Sequence, residues 1–145
     1  MFSIGFLPDM PSDHENEPDG WYGEIQIGEF SERFISCLSF WSKERYQAQW
    51  KDAVTRIVQG EPVSALVTDL SDPTKSNYLF WWPIYRKGKT VIIHNQILFM
   101  NQIEGIFNPD NPYQHVGPRE ILSSDGTLIS EWFTTIENLQ GFLRR

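Results

Sequence analysis

Residues Ser42–Pro62, SKERYQAQWKDAVTRIVQGEP, decide the fold class, because they place one amphipathic helix between segments of different periodicity. Tyr46, Trp50, Ala53, Val54, Ile57 and Val58 fall at i, i+4, i+7, i+8, i+11 and i+12, one continuous apolar stripe. Lys43, Glu44, Gln47, Lys51, Asp52, Arg56 and Gln59 lie mostly off that stripe. Ser42 is placed to cap the N-terminus, since its hydroxyl can accept from an otherwise unpaired first-turn N–H. Gly60 and Pro62 stop the helix.

On the N-terminal side the period shortens. Tyr22 to Ile27 alternates, with Ile25 and Ile27 on one face and Glu24 and Gln26 on the other, the pattern of a half-buried strand. Phe30 to Trp41 is apolar on both parities, so the two runs predict a hairpin with Gly28-Glu29 near its turn. On the C-terminal side, Val63 to Leu70 and Tyr78 to Arg86 read as strands separated by a Ser71–Asn77 turn. Lys87-Gly88-Lys89 connects to a further strand, Thr90 to Met100. Pro83 cannot donate to a ladder, which predicts a bulge or an unpaired edge there. Phe80, Trp82 and Ile84 alternate with Leu79, Trp81 and Tyr85, as in a central strand covered on both sides.

Asn101 to Arg119, with two Gly and three Pro, predicts a long irregular loop, of a length that is uncommon unless functional. Asp125-Gly126 between Ile121-Leu122 and Leu128-Ile129 is a hairpin signal, and Ile136, Leu139, Phe142 and Leu143 suit a short C-terminal helix. The expectation is one α+β domain over 1–145. An antiparallel sheet of about five to seven strands is packed by the helix at 43–59 and a short C-terminal helix, and an acidic loop runs over 8–20.

The charge is uneven. Of the net −7, residues 1–32 carry −8, with Asp9, Asp13, Glu15, Glu17, Asp19, Glu24, Glu29 and Glu32 and no Lys or Arg, while the remainder is +1. Such a segment either solvates the chain or presents a negative field to a basic partner, and it opposes phosphate binding by that face. At 145 residues, 40% hydrophobic and 14% aromatic, the chain can bury a core without a staple, which excludes disorder throughout. One cysteine, Cys37, no Asn-x-Ser/Thr sequon, and no basic-then-apolar leader predict a soluble cytoplasmic protein with no membrane span.

Chemistry-bearing patterns are sparse. His14, His94 and His115 are not spaced as metal ligands, and there is no Cys-x-x-Cys, Gly-x-Ser-x-Gly or phosphate loop. Cys37 reads as a small core thiol rather than a nucleophile. Asp13 to Glu24 mimics part of an EF-hand loop but puts Pro18 at the sharp-turn glycine and lacks a preceding helix. No metal, no cofactor and no catalytic residue is therefore expected. The aromatic run Tyr78–Tyr85 leaves open a second function class, a small single-stranded nucleic-acid-binding module, but only Arg86, Lys87 and Lys89 cluster near it.

The run Gly23-Glu24-Ile25-Gln26-Ile27-Gly28-Glu29-Phe30-Ser31-Glu32-Arg33-Phe34 resembles the immunity proteins of bacterial contact-dependent growth inhibition (CDI) systems, the CdiI type. So do Phe40-Trp41-Ser42 with Tyr46 and Gln49-Trp50, then Ser64-Ala65-Leu66, Trp82-Pro83-Ile84-Tyr85-Arg86 and Ile129-Ser130-Glu131-Trp132. The resemblance spans residues 21–143 and rests on scaffold positions. It implies a cytoplasmic antidote that binds the C-terminal domain of a large exported toxin, as a 1:1 heterodimer, and protects the producing cell. Because scaffold motifs transfer no contact residues, the expected toxin-facing group is the acidic segment itself: Asp9, Asp13, Glu15, Glu17, Asp19 and Glu24, together with Trp21. A negative surface of that kind suits a basic nuclease toxin, an RNase above others.

Overall fold

The structure, a computed structural model, describes residues 1–12 and 19–145. The expected hairpin is there: β2 (Gly20–Ile27) and β3 (Phe30–Cys37) pair antiparallel, Ile27 facing Phe30, and Gly28 takes the positive φ that the turn requires. A strand the sequence reading did not assign, β1 (Phe2–Ser12), adds to the outer side of β2. Strand structure thus replaces loop over residues 8–12 of the acidic segment. Pro8 and Pro11 hide the alternation, and the ladder accommodates them by a register shift between Phe6 and Pro11. Gly23 makes room for the Phe34 ring, which would have to shift for a Cβ lying 2.4 Å from it.

The helix α1 (Lys43–Val58) starts as expected, the Ser42 hydroxyl accepting from the Arg45 N–H at 3.1 Å. It packs beside β4 (Val63–Asp69) and closes the free edge of that strand with side chains. Gln49 donates to the Ala65 carbonyl at 2.7 Å and accepts from the Val67 N–H at 2.8 Å, the Trp50 indole donates to the Val67 carbonyl at 2.7 Å, and the Tyr46 hydroxyl accepts from the Leu70 N–H at 3.0 Å. An edge that would template pairing with another chain is satisfied internally.

Beyond β4 come β5 (Tyr78–Lys87), β6 (Thr90–His94), β7 (Gln96–Phe99), β8 (Glu131–Thr135) and α2 (Ile136–Leu143). The expected single sheet of five to seven strands is two antiparallel sheets: an N-terminal sheet β1-β2-β3 and a central sheet β4-β5-β6-β8, with β7 also on β5. The expected strand Thr90–Met100 is split into β6 and β7. Ile84 faces Ile93 and Trp81 faces Gln96, the same register on either side of a gap at Trp82–Pro83. Pro83 has no N–H to give, and the ladder is interrupted beside it rather than bulged.

The 101–119 segment is a cover, not an open loop. It forms two short 3-10 turns, Met100–Gln102 and Pro112–His115, and buries Phe107, Pro112 and Tyr113. Phe107 meets Trp81 edge-on at 6.2 Å, and the Tyr113 hydroxyl donates to Asp52 of α1 under the Arg56 guanidinium. Burial and the neighbouring Asp52 carboxylate push the Tyr113 phenol well above its usual range, so it stays a donor. Arg45 adds an ion pair to Asp110 at 3.1 Å. The Asp-Gly hairpin signal is realised as a short turn with a Leu122–Leu128 bridge.

Candidate functional site

Two places among the described residues stand out as candidates. The first is a chain of ionisable groups. The Glu131 carboxylate receives the Arg119 guanidinium at 2.6 and 2.7 Å and lies 2.8 Å from the His94 Nε2, while Gln96 approaches the other ring nitrogen at 3.4 Å. Arg119 first, then His94, hold Glu131 far below the ordinary carboxylate value, at about 2. His94 is fully buried with its ring against Tyr85, whose hydroxyl donates to the Gly117 carbonyl. The imidazole has no open path, and what the cluster does is fasten the cover segment to β6 and β8.

The second is a groove of about 690 Å³ between β3 and the central sheet. Its floor is Phe80, Trp82, Gln96 and Ile97, and its wall is the edge of β3, with Arg33, Phe34 and Ile35 in succession, backed by Tyr22. Three consecutive strand residues can border one space only if the edge of the strand, rather than a face, is turned to it. At one end Cys37 N–H donates to Asp69 at 3.0 Å and the Ser36 hydroxyl donates to the Thr68 carbonyl, and at the other Asn95 donates to Glu32 at 3.0 Å. Beyond the floor the apolar surface continues outward. Tyr78 packs edge-on with Phe80 at 5.7 Å and lies 6.4 Å from Phe99, and Tyr78, Ile97 and Phe99 are 47%, 46% and 47% exposed. The expectation that β5 is covered on both sides holds from Trp81 to Tyr85 and fails at the Tyr78 end.

The residues expected to face a toxin are not gathered into one patch among the described residues. Asp9 is exposed at the β1 irregularity with a positive φ, and it shares a shallow depression with Trp21, Lys43 and Glu44. Trp21 is held in place, its indole donating to the Leu7 carbonyl at 2.7 Å and the Lys43 ammonium lying 3.6 Å over the ring. Glu24, three positions on, points to the opposite face and pairs with Arg33 at 3.6 Å. Asp19 is exposed where β2 begins. Asp13, Glu15 and Glu17, with His14 and the partial EF-hand pattern, lie outside the described residues. Cys37 is buried, its thiol 2.9 Å from the Ser39 hydroxyl. Among the described residues no group of three His, Cys, Asp or Glu is placed to hold a metal, and no helix is long and apolar enough to cross a membrane.

Sequence reasoning missed the groove because its residues come from β2, β3, β4, β5 and β7. The one signal was the run of β3 that is apolar on both parities, which offers more apolar surface than a single covered face needs.

A family model described as the CdiI N-terminal domain matches residues 36–142. Immunity protein CdiI of Enterobacter cloacae subsp. cloacae is 28% identical over 134 residues, covering 88% of this chain and 92% of that protein. A solved structure described as the CdiA-CT/CdiI toxin and immunity complex from Enterobacter cloacae matches with a TM-score of 0.88 at 27% identity, over 99% of this chain and 97% of that one.

Proposed function

The chain belongs to the CdiI family of immunity proteins, and from that premise we propose that it binds the C-terminal toxin domain of a cognate CDI effector and neutralises it. The observation that carries the reading is likeness along nearly the full chain to an immunity protein solved together with its toxin. The burial of His94, the histidine that joins an ionisable cluster among the described residues, suits a protein that acts by occupying a surface. The complex is 1:1 and forms in the cytoplasm of the producing cell, where the toxin would otherwise act.

The toxin is a nuclease, with an RNase the favoured class. A groove that holds phosphates must be basic, and a segment bearing −8 over residues 1–32 is complementary to it. Asp9, Asp13, Glu15, Glu17, Asp19 and Glu24 act by steering, and Trp21, already fixed by Leu7 and Lys43, gives them a rigid neighbour. A stable complex of this kind buries on the order of 1,600 Å².

The test is stopped-flow association with the toxin domain encoded beside this chain, over a salt series. Changing Asp13, Glu15, Glu17 and Asp19 together to Asn or Gln should slow association by about tenfold at low salt and flatten its salt dependence. Unchanged kinetics at every salt concentration would remove the acidic segment from the mechanism, and a native protein that neither binds the toxin nor protects cells from it would remove the function. Exposed Tyr78 and Phe99 also offer a stacking surface for bases, the second function class. Glu32 and Asp69 beside them repel phosphate, so single-stranded RNA at low salt should not bind.

A further inference from the structure

We propose that the groove between β3 and the central sheet, with its Tyr78–Ile97–Phe99 apron, is the surface that anchors the toxin, taking a large apolar side chain flanked by Lys or Arg. The proposal rests on the immunity function and assigns where the affinity resides.

The apolar part of the surface is exposed. Tyr78, Ile97 and Phe99 are the outward continuation of a floor made by Phe80 and Trp82, so the patch is contiguous rather than scattered. Contiguous exposed apolar surface rimmed by polar groups marks an interaction site, and large aromatics in desolvated pockets supply most of the affinity of an interface. A volume of about 690 Å³ admits a few side chains, not a folded element.

The charged part supplies complementarity. Glu32 stands at one end of the groove against the neutral Asn95 amide, and Arg33, the base that lines the groove among the described residues, is turned to Glu24. The Glu32 end therefore suits a cation next to the apolar group. The groove is also continuous with the acidic segment. The Asp19 carbonyl accepts from Leu38 N–H at 2.9 Å and Gly20 faces Cys37, whose own N–H donates to Asp69. Asp19, the described acid that precedes β2, thus stands beside the end of the groove that Cys37 and Asp69 close.

Ile97→Lys and Tyr78→Ala change half-exposed side chains, so both variants should keep the thermal midpoint of the native protein. With the toxin domain encoded beside this chain as the probe, each should raise Kd by at least ~30-fold through faster dissociation. The conservative Ile97→Val and Tyr78→Phe should bind nearly as the native protein does. Amide exchange at residues 33–35 and 96–99 should slow when toxin is bound. Native Kd in both disruptive variants, with no added protection at those amides, would overturn the assignment while leaving the immunity function standing. A toxin-free dimer dispersed by Ile97→Lys, with toxin affinity unchanged, would overturn it by giving the groove to a second copy. Failure of the native protein itself to bind toxin would instead sink the functional reading on which this one rests.

Discussion

The two faces of β5 were made from one alternating run of aromatics, and the molecule treats them differently. On one face Leu79, Trp81, Pro83 and Tyr85 are all buried, and the 101–119 segment meets this face through Phe107 on Trp81 and Gly117 at the Tyr85 hydroxyl. On the other, Trp82 and Ile84 are buried, Trp82 against Phe30 of β3 and Trp132 of β8, whereas Tyr78 and Phe80 are left open or half open. A cover segment tied down at Asp52, Arg45, Tyr85 and Glu131 exists for the first face and stops short of the second. The open apolar surface on the second face is the one proposed above to receive the toxin.

Weakening the cover should have the largest effect. Phe107 is 2% exposed and packs on Trp81 and on His115, where burial lowers the imidazole below its usual value and its Nε2 accepts from the Asn108 N–H. Phe107→Ala leaves a cavity between cover and sheet and should cost ~3–5 kcal/mol of unfolding free energy. Urea unfolding measures this directly. The fraction still folded should bind toxin as tightly as before, because the altered face lies away from the proposed anchoring groove. A matched loss of affinity would mean that the two faces are not independent.

This division of labour also explains what could be read from the sequence. The helix, the β2–β3 hairpin, β4 and β5 were legible because each carries its own period within a short window, and Ser42, Gly28 and Gly60 mark their ends. β1 was not, because Pro8 and Pro11 break its alternation and its partner β2 dictates the strand. β8 was not either, since Glu131–Thr135 is short and is ordered by pairing with β6, far away in sequence. The acidic segment was visible as composition, but composition cannot say that Trp21 and Glu24 point to opposite faces. The groove depends on how two sheets meet, so no local window contains it.

A smaller effect sharpens the comparison through pH. Arg119 from the cover and His94 from the sheet meet on Glu131, held at about 2 against an ordinary 4.5. A depressed carboxylate contributes stability that is fully present above its unfolded value and is lost as pH falls through the folded one. Unfolding free energy should therefore decline between about pH 4.5 and 2. Glu131→Gln should lower stability at neutral pH and flatten that part of the profile, with thermal unfolding across a pH series as the readout. A slope unchanged by the substitution would place the acid sensitivity elsewhere. Toxin affinity at neutral pH should be unaffected in the folded fraction, since this tie serves the covered face.

The smallest effect lies on the open face, at Asn95. Its amide donates to Glu32 across the end of the groove, and both residues are exposed. A solvated contact of that sort contributes little to folding, so Asn95→Ala should shift unfolding free energy by less than ~0.5 kcal/mol. What it does contribute is orientation: it holds the Glu32 carboxylate at the groove mouth before a partner arrives, and a preset acceptor is not ordered at the expense of binding. Losing that preset should quicken toxin dissociation by about two- to threefold, the ratio that ~0.5 kcal/mol gives. Glu32→Gln, which keeps the contact to Asn95 and removes the charge, should act more strongly if a cation is what the groove receives. Were both variants to dissociate at the native rate, the floor alone would anchor the partner and the flanking charge would serve only the encounter.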